Sequence, residues 1–221
     1  MGIKRKIGET LDVALAPFHA VVNYYSSPER AMVVDLARRI KKEREMILRD
    51  EEAYNIFALA KRTSKLQGVL AEVGAYKGGS SALICEAKGA REFHVFDTFE
   101  GLPQPGQHDP SFVQGQMAGR FEDVRDYLKK YPNTHVHKGL FPDSAKPVEE
   151  KRFAFVHLDV DLYESTINSL RFFYPRMTKG GVILSHDYNL PGVRKAFDEF
   201  FADKREIEIE LPGSHGMVVK D

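Results

Sequence analysis

The spacing of hydrophobic positions changes near residue 68, and the change predicts two kinds of structure. From residue 28 to 65, apolar side chains recur at helical spacing between charged ones, which predicts N-terminal helices. Beyond residue 68, short β-rich runs alternate with helix-forming segments: GVLAEVG, EFHVFD, THVHKG, FAFVHLDVD and GGVILSHDY. This alternation predicts βαβ units and a parallel sheet with helices on both faces. Gly180 and Gly181 are expected to end the loop that leads into the fifth strand.

The last strands are connected differently from the others. The segment REIEIELPGSHGMVVKD holds two strand-like runs around Pro212 and Gly213, too close together for a helical crossover, and so predicts an antiparallel hairpin. The expected fold class is therefore α/β: a doubly wound, mostly parallel, Rossmann-like sheet of seven strands that ends in this hairpin. Such an ending is more typical of methyltransferases than of nicotinamide-binding proteins. We predict a helical section at residues 1–66, packing on the core and on an acceptor site, and a core at residues 67–221.

The longest irregular stretch runs from residue 98 to 119 and exceeds the usual length of a loop in a compact domain. It follows the second strand, so it lies beside the carboxyl edge of the sheet. Ligands of doubly wound sheets bind at this edge. The length suggests either a lid or local disorder, and the position beside this edge favours a lid over a binding site.

Composition and charge narrow the range of partners. Lysine plus arginine and aspartate plus glutamate number 32 each, so no overall field favours nucleic acid or an anionic membrane. Cys85 is the only cysteine, which excludes an intrachain disulfide and suits a reducing compartment. Asp12, Pro17 and His19 interrupt any signal-peptide core, and no apolar run reaches the about 18 residues of a membrane span. We expect a cytoplasmic protein without nucleic acid or a membrane span, and the sequence leaves a homo-oligomer open.

A glycine turn and an acid point to a nucleoside cofactor. In LAEVGAYKGGSS a strand runs into Gly74, Gly78 and Gly79, and a helix begins near Ser80. Backbone N–H groups at a helix N-terminus favour a carboxylate or phosphate, although this spacing is not the dinucleotide fingerprint. Asp97 ends the next strand, 23 residues after Gly74, where a carboxylate can accept both hydroxyls of a ribose. Turn and acid together predict an adenosine-containing cofactor without separating NAD from S-adenosylmethionine.

The predicted cofactor-binding set extends beyond the turn and the acid. Glu72 precedes the turn and would orient it. The segment GLFPDSA follows the third strand, from where Phe141, Asp143 or Ser144 would contact the adenine. The complete set is Glu72, Gly74, Tyr76, Gly78, Ser80, Asp97, Phe99, Asp143, Ser144 and Asp159.

Acidic residues and a histidine follow two neighbouring strands. Asp159 closes the fourth strand, and His186 and Asp187 close the fifth. Because neighbouring strands lie about 4.8 Å apart, the three side chains can converge. Two carboxylates and an imidazole suit a divalent metal such as Mg²⁺ or Mn²⁺, which would acidify a bound hydroxyl, and Asp161 would then take the proton. The alternative is that these acids cap helices, but crowded carboxylates repel unless a cation or proton intervenes.

Five motifs occur in one order between about residue 68 and 203: EVGAYKGGS, FDTFEGLP, LDVDLYEST, KGGVILSHDY and PGVRKAFDEF. Together they resemble the macrocin O-methyltransferase family. The resemblance implies a class I enzyme that uses S-adenosylmethionine to methylate sugar hydroxyls in natural-product biosynthesis. It also implies that Asp159 is a metal ligand and Asp161 the general base.

The chain departs from the family at one position. The family usually has two aspartates before the tyrosine that closes the fifth strand, and this chain has His186 and Asp187. Histidine can still ligate, but it shifts the preference from Mg²⁺ towards Mn²⁺, Fe²⁺ or Zn²⁺. His186 could instead be the base of a metal-free site, because its ordinary pKa lies near neutrality.

The sequence therefore predicts methyl transfer to a small-molecule hydroxyl acceptor, a sugar or glycoside. A catechol or other phenol, or a lipid-linked or polysaccharide sugar, would need the same fold and cofactor. An NAD-dependent oxidoreductase fits the glycine turn and Asp97 but leaves the acids after the fourth and fifth strands unexplained. A protein with this fold and no turnover is a further alternative, against which Asp159 and Asp161 argue.

Overall fold

The computed structural model describes residues 27–221. The signal-peptide interpretation, and residues 1–26 of the predicted helical section, lie outside this range. Two helices come first, α1 (Pro28–Glu43) and α2 (Asp50–Arg62). Helix α1 begins at Pro28 because the Ser27 hydroxyl accepts a hydrogen bond from the Arg30 backbone N–H at 3.1 Å.

Seven strands form one sheet in the order β3-β2-β1-β4-β5-β7-β6. Strands β1 to β5 are parallel, and β7 lies antiparallel between β5 and β6. The predicted doubly wound sheet and its C-terminal hairpin are both confirmed. The strand bounds are β1 Val69–Val73, β2 Phe93–Asp97, β3 Thr134–Lys138, β4 Phe153–Leu158, β5 Met177–Ser185, β6 Ile209–Glu210 and β7 Gly216–Val219.

Helices cover both faces of the sheet. They are α3 (Gly79–Lys88), α4 (Phe121–Leu128), α5 (Tyr163–Phe173) and α6 (Pro191–Phe201), and short 3₁₀ turns lie at 63–65, 143–148 and 174–176. Side chains of α1 to α4 pack in one hydrophobic cluster, and those of α5 and α6 pack in the other. All six residues of β4 are buried, because a central parallel strand is covered on both sides. Within residues 27–221, no helix has the length and apolar character needed to cross a membrane.

One detail of the fifth strand differs from the prediction. Strand β5 already begins at Met177, so Gly180 and Gly181 lie inside it and do not end a loop. Its pairing with β4 shifts here: Phe153 pairs with Met177, and Phe155 pairs with Val182. The extra residues form a bulge, in which Gly180 adopts a φ of +79° and a Cβ on Gly181 would meet a backbone oxygen at 2.7 Å.

Candidate active site

A cavity of about 280 Å³ opens at the carboxyl ends of β1 to β5. This is the edge at which doubly wound sheets bind ligands. Segments that follow these five strands, the loop between α1 and α2, and the predicted lid contribute to its wall. Eight of the predicted site residues line it: Gly74, Tyr76, Ser80, Asp97, Asp159, Asp161, His186 and Asp187.

Asp97 holds the glycine turn in place. Its carboxylate accepts hydrogen bonds from the backbone N–H groups of Ala75 at 2.7 Å, Tyr76 at 2.8 Å and Phe99 at 2.6 Å. Burial raises the pKa of Asp97 even though these three donors act in the opposite direction. Asp97 therefore holds the end of β2 against the turn after β1. Its carboxylate also lines the cavity, where its remaining lone pairs can accept hydrogen bonds from a ligand.

Gly74 allows the ends of β1 and β4 to approach closely. Its φ is +88°, and a Cβ at this position would lie 1.8 Å from the Asp159 carbonyl oxygen. Only glycine fits such a backbone contact. The residue thus sets the distance between the turn and the acidic cluster that follows β4.

Glu72 does not line the cavity. It is fully buried in β1, where its carboxylate accepts a hydrogen bond from the Ser81 hydroxyl and lies 2.9 Å from Nδ1 of His157. Ser81 belongs to the first turn of α3, so Glu72 fixes that helix to the strand. Its place supports the predicted orienting role and argues against direct contact with a cofactor.

Four other predicted cofactor residues also lie outside the cavity lining. Gly78 caps α3 in the left-handed conformation, with a φ of +80°. Phe99 is buried against Phe121, with ring centroids 5.4 Å apart. Asp143 is exposed, and the Ser144 hydroxyl faces the Gly139 carbonyl at 3.4 Å. These residues were predicted because they follow strands. The turns direct the side chains of Phe99, Asp143 and Ser144 away from the cavity, and Gly78 has a conformational role only.

The acidic residues and the histidine after β4 and β5 converge as predicted. Nδ1 of His186 lies 2.7 Å from an Asp187 oxygen and 3.1 Å from an Asp159 oxygen. One potential ligand atom from each of the three residues lies within 4.8 Å of the others. Metal–ligand bonds of about 2.1 Å place neighbouring ligands about 3.0–3.4 Å apart. The Asp159 distance matches this spacing, and the shorter Asp187 distance is a hydrogen bond that a bound ion would replace.

Each charge in the cluster depends on its neighbours. Burial opposes a charge on His186, but the carboxylates of Asp159, Asp187 and Glu52 outweigh it and raise the His186 pKa far above its usual range. Burial likewise opposes ionisation of Asp159, yet the His186 charge lowers the pKa of that carboxyl. For Asp161, burial and the repulsion of Asp159 and Asp187 act together and raise the pKa to about 8. These groups therefore favour a cation at the cluster, either a proton or a metal ion.

Glu52 was not predicted, yet it belongs to the same cluster. It lies on α2, is 3% exposed, and places Oε2 3.6 Å from Nε2 of His186. The same carboxylate accepts hydrogen bonds from the Arg49 N–H at 2.7 Å and from Ser214 N–H and Oγ at 3.0 and 2.8 Å. In the sequence it looks like an ordinary acid in the first helical turn. Its i,i+4 relation to Ile56 is the one sign that it faces the core.

Backbone strain concentrates at this edge of the sheet. Six non-glycine residues within 27–221 have positive φ, and four of them directly follow strands at the cavity end: Tyr76, Phe99, Asp161 and Asp187. Such conformations are uncommon and cluster at functional sites. At Asp161 and Asp187 the φ values are 59° and 54°, and the resulting turns bring both carboxyls to the cavity.

The segment 98–119 contains no helix or strand and covers one side of the cavity with Leu102 and Met117. The segment is attached to the rest of the fold through Asp109, which lies outside the cavity lining and is 3% exposed. The Asp109 carboxylate accepts a hydrogen bond from the Tyr163 N–H at 3.1 Å, at the start of α5. The predicted lid is therefore anchored to the helix that follows the acidic cluster.

Exposed apolar side chains surround the mouth of the cavity. Ile47, Leu140 and Met117 are 60%, 46% and 39% exposed, and all three line it. Met46 and Leu48, beside Ile47 in the loop between α1 and α2, are buried in the same wall. Apolar surface exposed around a concave site is typical of a ligand-binding surface.

The chain resembles known methyltransferases in sequence. It is 31% identical over 150 residues to the 8-demethyl-8-(2,3-dimethoxy-alpha-L-rhamnosyl)-tetracenomycin-C 4'-O-methyltransferase of Streptomyces olivaceus. That alignment covers 60% of this chain and 58% of the relative, so the chain spans less than two thirds of the relative's length.

Solved structures resemble the fold. The O-methyltransferase NovP aligns with a TM-score of 0.66 and 25% identity, over 76% of this chain and 78% of that one. An O-methyltransferase from Bacillus cereus in complex with SAH shares the fold, with a TM-score of 0.58 and 13% identity over 96% and 97% of the two chains. The family described as Macrocin-O-methyltransferase (TylF) matches this chain over residues 55–214, which is more than half of its length. The chain therefore belongs to the macrocin O-methyltransferase family.

Proposed function

We propose that this protein is an S-adenosylmethionine-dependent O-methyltransferase that methylates a sugar hydroxyl of a natural-product glycoside. One observation carries the proposal: Asp159, Asp161, His186 and Asp187 line the same cavity as the glycine turn that Asp97 holds. A methyl donor and a group that removes a hydroxyl proton would meet there. Family membership and the rhamnosyl substrate in the name of the Streptomyces olivaceus relative support the same reaction.

The donor would lie along the carboxyl ends of β1 and β2. The turn from Gly74 to Ser80 leads into α3, whose N-terminal N–H groups favour the carboxylate of the methionine part. Asp97 lines the cavity next to this turn, where the ribose would lie. Leu140 and Phe141 line it after β3 and offer an apolar surface to the adenine.

The reaction needs little from the protein besides positioning and proton removal, because the sulfonium already activates the methyl group. The acceptor oxygen attacks the methyl carbon, the carbon–sulfur bond breaks, and S-adenosylhomocysteine is released. The acceptor proton would go to Asp161, which lines the cavity in the turn after β4, close to the proposed metal ligands but not among them. Leu102 and Met117 of the lid would exclude water from the reacting atoms.

Asp159, His186 and Asp187 would hold a divalent metal such as Mg²⁺ or Mn²⁺, which would supply charge to acidify the acceptor hydroxyl. Histidine in the set favours Mn²⁺, Fe²⁺ or Zn²⁺ more than a third carboxylate would. The metal-free alternative with His186 as base is less well supported. The ring nitrogen of His186 lies between two carboxylates that stabilise its proton, which makes it a poor base.

Glu52 would orient His186 for this role. A ligating histidine usually donates its other ring N–H to a carboxylate, which fixes the ring and its tautomer. Nδ1 of His186 faces Asp159 and Asp187, whereas the buried Nε2 faces Glu52 at 3.6 Å and has no hydrogen-bond partner among the described residues, so a small movement of the ring would complete the bond to Glu52. The pattern assigns Nδ1 as the ligand atom and Glu52 as a positioning residue.

The apolar mouth indicates an acceptor with an apolar body. Met46, Ile47 and Leu48 come from the section that the sequence assigns to the acceptor site, and they line the cavity. A sugar attached to an apolar aglycone would fill such a mouth better than a free, fully hydrated sugar. Catechol acceptors stay an alternative, and a cytoplasmic location and a homo-oligomer stay predictions from the sequence.

Labelled S-adenosylmethionine and a panel of acceptors test the proposal. The panel holds glycosides with apolar aglycones, free sugars and catechols, each with and without a chelator. We expect transfer to glycosides, suppressed by the chelator and restored by Mg²⁺ or Mn²⁺. Asp143→Asn, an exposed acid outside the cavity, is the control and should transfer normally. Binding of NAD without binding of S-adenosylmethionine would refute the proposal.

A further inference from the structure

A second cluster of metal-binding residue types lies on β2 and β3, outside the cavity lining. His94 of β2 pairs with His135 of β3 in the parallel register. Glu92 precedes His94 by two residues, and His137 follows His135 by two, so all four side chains belong to the same face of the sheet. The proposed methyl transfer uses none of these residues.

Three of these side chains converge on one point. The Oε1 atom of Glu92 lies 2.9 Å from Nε2 of His94 and 3.6 Å from Nε2 of His135. The two imidazole rings are stacked, with centroids 4.9 Å apart and planes inclined by 25°, so both Nε2 atoms face the same carboxylate. Tetrahedral bonds of about 2.1 Å place ligands about 3.4 Å apart, and the two distances bracket this value.

The surroundings support a site that is already organised. Nδ1 of His94 lies 3.0 Å from Nε2 of His137, so the ring can donate its second N–H there while Nε2 ligates. The other Glu92 oxygen is held by Lys151 at 2.9 Å. Burial lowers the pKa of His94 to about 4, against the attraction of Glu92, and it also lowers the pKa of His137. Neutral imidazole is the form that binds metal.

Hydrogen bonding alone does not explain the whole arrangement. Glu92, His94 and His137 satisfy one another in a chain of hydrogen bonds without His135. The His135 side chain is 49% exposed and free to turn to water, yet its Nε2 faces Glu92 beyond hydrogen-bonding distance. A third ligand atom at this distance is what a bound ion would require.

We propose that Glu92, His94 and His135 form a binding site for a borderline divalent metal ion such as Zn²⁺. Two imidazoles and one carboxylate match the ligands that zinc prefers, and exposed His135 leaves a fourth position open to solvent. Bound zinc would link β3, at the edge of the sheet, to β2. The site is independent of the proposed methyl transfer, and we expect zinc to raise the thermal stability of the folded chain.

Zinc itself is the probe, and His135→Ala is the first variant because an exposed side chain can be removed without unfolding the chain. Asp187→Asn should weaken any zinc binding at the cavity, so the two sites can be separated. We expect Asp187→Asn protein to bind zinc at this site, with a rise in Tm. Adding His135→Ala to Asp187→Asn should weaken that zinc binding by at least about tenfold and abolish the Tm rise.

Two further variants make the outcome decisive. Glu92→Gln keeps the shape of the side chain but removes its charge, and it should weaken zinc binding as His135→Ala does. His108→Ala, in the loop at 98–119 and outside this cluster, is the matched control and should leave zinc affinity unchanged. Equal zinc affinity in Asp187→Asn protein with and without His135→Ala would overturn the proposal, as would zinc binding that disappears with Asp187→Asn alone.

Discussion

Replacing Glu52 by glutamine tests how α2 contributes to the acidic cluster. Glutamine preserves the volume and can still accept hydrogen bonds from Ser214, but the negative charge 3.6 Å from Nε2 of His186 is lost. At an effective dielectric constant of about 20, two full charges at this distance interact by about 4–5 kcal/mol. When a metal ion is bound, the His186 ring is neutral and can only donate a hydrogen bond to Glu52. Its interaction with Glu52 is then only part of the energy between two full charges.

Loss of such a partner costs about 10- to 100-fold in metal affinity or activity, or about 1.4–2.7 kcal/mol. We therefore expect Glu52→Gln to weaken Mn²⁺ binding by this factor in calorimetry and to slow methyl transfer at limiting metal. High Mn²⁺ should restore much of the rate. Glu122→Gln removes an exposed acid from the first turn of α4 and is the matched control. Unchanged Mn²⁺ affinity in Glu52→Gln would refute the positioning role.

Three further changes have defined outcomes. Gly74→Ala forces a Cβ to within 1.8 Å of a backbone oxygen and should lower Tm by more than about 5 °C in calorimetry. Asp109→Ala removes the anchor of the lid and should speed proteolytic cleavage within 98–119 while Tm changes less. Lys220 and Tyr174 outweigh burial and lower the Glu206 pKa to about 2, so its stabilisation is complete above about pH 4.5 and lost towards pH 2. Glu206→Gln should flatten that acid limb of a Tm-versus-pH curve.

The fold could be predicted because short β-rich runs alternate with helix-forming segments, even though Glu72, His94 and His157 interrupt the apolar residues of β1, β2 and β4. The same geometry explains why Asp159, His186 and Asp187 could be placed together: the carboxyl ends of adjacent parallel strands meet at one edge. Gly74 was recognisable because a strand ran directly into it. These inferences need only the strand order and the pleat.

Features that depend on how a loop turns or where a helix docks could not be predicted. Glu52 joins the cluster only because α2 brings it beside His186 and Ser214, and no local pattern encodes that placement. Asp143 and Ser144 follow a strand as cofactor residues do, but the 3₁₀ turn that begins at Asp143 directs them away from the cavity. The bulge at Gly180 likewise arises from the register between β4 and β5.

Single-turnover methyl transfer by Asp161→Asn is the most direct test of the central claim. Enzyme saturated with labelled S-adenosylmethionine is mixed with an accepted glycoside, and S-adenosylhomocysteine is quantified over time. We expect the variant to bind the donor with unchanged affinity and to transfer about 10²- to 10⁴-fold more slowly than the unmodified enzyme. An equal transfer rate in the two proteins would contradict the account, because the proton would then leave by a route that does not involve the cluster after β4.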